Sequence, residues 1–105
     1  MLEKDIEKYF MRRVAQVGGR AYKFVSPSNR GVADRVVCLP DGTTHFVELK
    51  RPGGKLSPLQ RQFAMEMQAL GQNYACLWSK TEVDSWISDH TSTTQQISFL
   101  VATAP

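Results

Sequence analysis

Three side chains near the middle of the chain are of the types that metal-assisted hydrolysis uses: Asp34, Glu48 and Lys50. They flank a stretch that reads as a hairpin. Val36 to Leu39 is one apolar run, Pro40-Asp41-Gly42 is turn chemistry with Gly42 free to take a positive φ, and Thr44 to Leu49 is a second run. Pairing the runs brings Asp34, Glu48 and Lys50 to the same end of a sheet. Side chains alternate along a strand, so Glu48 and Lys50 share a face while Leu49 points the other way. Two adjacent carboxylates repel unless a positive charge lies between them. A hard divalent cation, Mg²⁺ or Mn²⁺, suits oxygen donors of this kind. A protonated lysine beside them is no metal ligand, but it can hold or activate a water or stabilise charge on a phosphate. Together these groups meet the needs of phosphodiester hydrolysis.

The elements that must hold this set follow from periodicity. Leu2 to Val17 is an amphipathic helix, with Leu2, Ile6, Tyr9, Phe10, Val14 and Val17 at helical spacing and Gly18-Gly19 at its end. Glu3 projects into its apolar sector and Glu7 lies at the edge of that sector. A carboxylate aimed at the core needs a partner there. Glu3, in the first turn, also suits the positive end of the helix. Ala21 to Val25 is a short strand. The polar loop Ser26 to Gly31 leads to Asp34, and Lys23, Arg30 and Arg35 make it a candidate phosphate-contacting lip. After Lys50, the segment Arg51-Pro52-Gly53-Gly54-Lys55 stops the strand and adds two basic residues. Ser57-Pro58-Leu59-Gln60 is a helix start with an N-cap, a proline at the first position and a capping box. Leu59, Phe63, Met67 and Leu70 are its expected buried stripe. Tyr74 to Trp78 reads as an interior parallel strand. Thr81, with Asp84 three residues on, is the expected cap of a last helix bearing Val83, Trp86 and Ile87. Trp78 and Trp86 read as core or interface residues.

The quoted strings resemble a known family. Gly-Val-Ala-Asp-Arg-Val-Val at 31–37, with Phe-Val-Glu-Leu-Lys-Arg-Pro-Gly-Gly-Lys-Leu-Ser-Pro-Leu-Gln at 46–60, is similar to the VRR-NUC branch of the PD-(D/E)xK nuclease superfamily. The likeness runs from about Glu3 to about Trp86. Ala33 stands where the superfamily name has proline, a position that shapes the loop and carries no chemistry. The resemblance implies an α/β fold with a restriction-endonuclease-like core, a mixed sheet of about four strands flanked by helices. It implies a Mg²⁺- or Mn²⁺-dependent DNA endonuclease in which Asp34, Glu48, the Leu49 carbonyl and Glu3 hold the metal, with Glu7 as the substitute for Glu3. Lys50 orients or deprotonates the water, and Gln60 lies close to Glu48 and Lys50. Lys23, Arg30, Arg35, Arg51 and Lys55 are the DNA-contacting candidates. Short members of this branch occur in phages and bacteria and act as homodimers on branched DNA, resembling Holliday junction resolvases. A homodimer acting on a four-way junction is therefore the expected assembly.

Composition sets the frame. The chain has 105 residues, 42% hydrophobic and 22% charged, with net charge +3. That suffices for one nuclease core over 1–90, followed by a linker and an extra apolar segment over 91–105 that could pair with the sheet edge or with another subunit. No apolar run reaches the length of a membrane span, and no small-molecule cofactor is indicated. Cys38 and Cys76 sit in apolar runs and read as buried thiols in a reducing cytoplasm (the host's, for a phage protein), with a disulfide between neighbouring strands the alternative. His45 and His90 lack ligand-like spacing. The competing functions are a catalytically silent DNA-binding module, a flap or duplex nuclease of the same fold, and an interaction domain without nucleic acid.

Overall fold

A computed structural model describes residues 1–91. The elements run α1 (Glu3–Gln16), β1 (Arg20–Lys23), β2 (Arg35–Cys38), β3 (Thr44–Leu49), α2 (Pro58–Ala69), β4 (Asn73–Leu77) and α3 (Lys80–His90). The sheet order is β1-β2-β3-β4. The first two pairings are antiparallel and β3–β4 is parallel, with α2 as the crossover. This is the expected α/β, restriction-endonuclease-like arrangement. The apolar segment expected at 97–101 lies outside the described residues.

Strand alternation divides the sheet into two faces. Val37, Val47, Leu49 and Leu77 point to one side, where Ile6, Phe10 and Val14 of α1 and Val83, Trp86 and Ile87 of α3 close the main core. The spacing of the α1 residues puts all three on one stripe, and each buried side chain of this size contributes about 1.5–3 kcal/mol. Phe10 meets Trp86 with ring centroids 5.4 Å apart. On the other face, Phe63 of α2 packs against Phe24, Phe46 and Tyr74.

The hairpin forms as its turn residues predict. Leu39 N–H donates to the Thr43 carbonyl at 3.0 Å, and Gly42 takes φ 88°. Asp41 Oδ1 accepts from the Thr43 N–H and hydroxyl at 2.9 and 2.6 Å. This fixes the register Arg35↔Val47 and Val36↔Phe46. One step further out, Asp34 falls opposite Glu48.

Five expectations are corrected. The first strand ends at Lys23 rather than Val25: after Phe24 N–H donates to the Asp34 carbonyl, the chain turns, with Asn29 N–H on the Ser26 carbonyl. Strand β4 is parallel as expected but stands at the edge of the sheet among the described residues, because nothing there pairs beyond it. The α2 stripe is not buried: Leu59 and Leu70 are 50% and 67% exposed, since α2 spans only part of its face of the sheet. Ser79, not Thr81, caps α3, accepting from Glu82 N–H, while Asp84 is taken by Tyr9 and Arg13. Cys38 is exposed, and both thiols are free. Their strands are separated by β3, so no disulfide joins them.

Gly31 locks the loop before Asp34 against the start of α2. A Cβ placed there would lie 2.1 Å from the Leu59 carbonyl oxygen and 2.4 Å from its carbon, both backbone atoms that cannot swing aside. Gly31→Ala is therefore expected to lower stability by roughly 1–3 kcal/mol in urea unfolding. An unchanged midpoint would show that this contact does not set the loop.

Candidate active site

The site forms where β2 begins and β3 ends. Asp34 and Glu48 face each other across the hairpin, on the side of the sheet that α2 covers. Like charges placed directly opposite on paired strands destabilise the pairing. Here Asp34 is held by its backbone neighbour, with Oδ2 accepting from the Leu49 N–H at 2.8 Å. Glu48 is 2% exposed. Burial, and then the Asp34 carboxylate beside it, push the Glu48 carboxyl up to about 8, against a smaller opposing pull from Lys50. Glu48 thus carries a proton at neutral pH and shares hydrogen bonding with Asp34.

Gln60 joins the two halves of the site. Its Oε1 accepts from the Ser57 N–H at 2.8 Å while Ser57 Oγ accepts from the Gln60 N–H at 3.2 Å, the expected capping box. Its Nε2 also donates to Glu48 Oε2 at 3.3 Å. The capping role and the position beside the site are one geometry, because an amide has both an acceptor and a donor end.

Lys50 leaves the strand with its N–H on the Leu77 carbonyl, and its Nζ lies 3.9 Å from Glu3 Oε1. Glu3 is half-exposed at the start of α1 and is aimed at this lysine rather than into the core. Glu7 is engaged elsewhere, accepting from Arg35 Nε at 2.8 Å. Arg35 also donates to the Ala21 carbonyl. It faces α1 with its side chain 13% exposed, so it belongs to the α1–sheet contact. Lys23, Arg30, Arg51 and Lys55 are exposed around the site. The 51–55 loop is tied down by Trp78, whose indole N–H donates to the Gly54 carbonyl at 2.8 Å. Beside the Ser26–Arg30 loop runs a groove of about 590 Å³ that reaches Leu59, Phe63 and Met67 of α2.

Cys76 pairs with Glu48 in the β3–β4 ladder. Burial, followed by the neighbouring Glu48, pushes its thiol up to about 12, so it is a protonated wall of the site. Sequence spacing alone held no sign of this neighbour. Among the described residues, no three His, Cys, Asp or Glu side chains stand together as a metal cage. His45 and His90, far apart in sequence, meet with ring centroids 4.8 Å apart beside Trp86. They lie at the turn end of the hairpin, away from Asp34.

No protein-family model matches the chain. It is 47% identical over 78 residues to a phage protein described as "Putative nuclease p44", from Acyrthosiphon pisum secondary endosymbiont phage 1. The match covers 74% of this chain and 84% of that one. A solved structure described as a VRR_NUC domain superposes with a TM-score of 0.80 at 29% identity. It covers 85% of this chain and 97% of that one. The fold is that of the restriction-endonuclease-like class. Within that class, the chain belongs to the VRR-NUC nuclease family.

The raised Glu48 carboxyl has a sign that can be measured. Between its ordinary value of 4.5 and about 8, the folded protein holds a proton that the unfolded chain has released. The stabilisation is complete below the lower value and is lost as pH rises through the upper one. In EDTA, unfolding free energy is expected to fall across this window by an amount on the order of a few kcal/mol. Glu48→Gln should remove most of that slope. An equal slope in both proteins would contradict the assignment.

Proposed function

We propose that this protein is a divalent-metal-dependent DNA endonuclease that hydrolyses phosphodiesters at the end of the β2–β3 hairpin. The carrying observation is the buried Glu48 set against Asp34. A fold gains nothing from two facing carboxylates, one of them held protonated, unless a cation or substrate uses them. The donor set fits Mg²⁺ or Mn²⁺: both side chains offer hard oxygens, and Mg²⁺ is commonly held by one or two carboxylates, with waters and substrate phosphate filling the rest. Asp34 and Glu48 would hold it, with the Leu49 carbonyl as a further oxygen donor; Glu3, paired with Lys50, does not stand with the two carboxylates as a third ligand. When bound, the cation neutralises the carboxylate pair and supplies Lewis acidity toward the phosphate and its attacking water.

The remaining work falls to the chain's own groups. Gln60 donates to Glu48 and keeps that carboxylate oriented as it gives up its proton. Lys50, steered by Glu3, holds the attacking water or donates to the non-bridging phosphate oxygens as charge accumulates. The water oxygen bonds to phosphorus and loses a proton to solvent as the opposite ester P–O bond breaks, and the departing sugar oxygen takes up a proton from solvent. Lys23, Arg30, Arg51 and Lys55 grip the flanking backbone phosphates. A second copy of the chain would set two such sites on opposing strands, which suits a four-way junction better than a linear duplex.

Lys50→Ala is expected to lower cleavage of a labelled four-way junction by at least about 100-fold, the scale of a missing catalytic donor or base, while leaving the fold intact. Undiminished cutting by that variant would remove Lys50 from the mechanism. Ser57→Ala should cost about 1 kcal/mol of stability through removal of the cap. Gln60→Ala should cost a similar amount and also slow cleavage. Equal activity in the two variants would leave Gln60 as a cap alone.

A further inference from the structure

We infer that the outer face of α1 and α3 is a second DNA-contacting surface, built from Lys8, Arg12 and Lys80 around Tyr9. The inference takes DNA as the partner from the reading above and concerns residues outside the catalytic site. Arg12 Cζ lies 5.4 Å from the Tyr9 ring centroid and Lys80 Nζ lies 5.3 Å from it. With Lys8, these residues line one open cavity of about 450 Å³ that also touches Met1 and Asp5.

Bringing three cations to one cavity costs free energy through mutual repulsion, and the tyrosine ring offsets only part of it. Asp5, which lines the cavity, offsets one of the three charges, and Asp84 is engaged by Tyr9 and Arg13, so the patch keeps a net positive charge. Asp5 accepts from the Leu2 N–H. Asp84 accepts from the Tyr9 hydroxyl at 2.6 Å and from Arg13 at 3.0 Å. Among the described residues, no carboxylate forms an ion pair with Lys8, Arg12 or Lys80. Lys80 is moreover the first residue of α3, where the helix dipole disfavours a cation and favours an anion. The arrangement is complementary to phosphate.

Its location selects the phosphates of the substrate. Lys80 follows Leu77, whose carbonyl holds the Lys50 N–H, and Trp78, which ties down the 51–55 loop. Glu3, which reaches Lys50, opens the same helix that carries Lys8 and Arg12. Lys80 thus stands at the end of the sheet that carries the site, whereas Lys8 and Arg12 fall about 140° and 180° around α1 from Glu3, so the patch faces outward from the site. Lys23 and Arg30 lie on the β1 side. Cations on two sides of one cleavage site fit DNA that departs in two directions, as the arms of a branched substrate do.

The test is equilibrium binding in EDTA, where no cutting occurs, of the full chain to a labelled four-way junction over a range of salt. Removing one phosphate-neutralising cation reduces the magnitude of the log–log salt slope by about 0.9. Lys8→Gln/Arg12→Gln/Lys80→Gln is expected to reduce it by roughly 2–3, and Arg12→Gln alone by about 1, which keeps the test open should the triple variant fold poorly. Arg30→Gln/Lys55→Gln is the comparison. If that rim pair lowers the slope and the α1–α3 variants do not, the inference fails and the nuclease reading stands. If no variant changes the slope, the inference fails together with the phosphate-gripping role of Arg30 and Lys55, while cleavage by Lys50→Ala still decides the nuclease reading. If the triple variant loses binding to anionic phosphatidylserine vesicles but keeps the wild-type salt slope on junction DNA, the surface serves a membrane and the inference is overturned.

Discussion

Burying a carboxyl group directly across a strand pair from another carboxylate is the constraint on which this structure turns. Either group alone, exposed at a strand end, would be ordinary surface charge. Placed opposite each other with Glu48 out of water, they force one proton to stay at neutral pH. The surroundings tolerate this because every polar arm has a partner: Leu49 N–H on Asp34, Gln60 on Glu48, Glu3 toward Lys50. Among the described residues, no buried side-chain nitrogen or oxygen is left unsatisfied. The fold can therefore hold the site without a cation.

Four separate parts of the fold serve that one spot. The β2–β3 hairpin sets Asp34 against Glu48 through its turn. The α2 start is pressed onto the Asp34 loop at Gly31, which brings Gln60 within reach of Glu48. The β3–β4 ladder fixes the backbone of Lys50, and α1 supplies Glu3. The main core of Ile6, Phe10, Val37, Val47 and Trp86 lies behind these groups and keeps the layers from sliding. A change in the core reaches the site only through these backbone junctions.

Much of this was legible in the residues because the deciding interactions are local. The Pro40-Asp41-Gly42 turn dictates the register that opposes Asp34 and Glu48. The Ser57–Gln60 capping box announces both the helix start and the amide at the site. What sequence did not show depends on long-range packing. The competition for Asp84 is one case: its spacing from Thr81 suggested a cap, yet Tyr9 and Arg13, more than seventy residues away, take it. Glu7 and Arg35 are another, since only the docking of α1 on the sheet brings them together. The exposure of Leu59 and Leu70 follows from how little of its face α2 covers, which periodicity cannot reveal. The meeting of His45 with His90 likewise waits on the return of α3 over the hairpin.

The most direct measurement is the proton released when the site takes up Mg²⁺ or Mn²⁺. Calorimetric titration at neutral pH, repeated in buffers of different ionisation enthalpy, reads that number independently of cleavage. If Asp34 and Glu48 hold the cation, binding must expel the proton on Glu48, and release should approach one per site and vanish in Glu48→Gln. Cation binding with no proton release, or binding undiminished in Asp34→Asn/Glu48→Gln, would place the metal elsewhere and contradict the account.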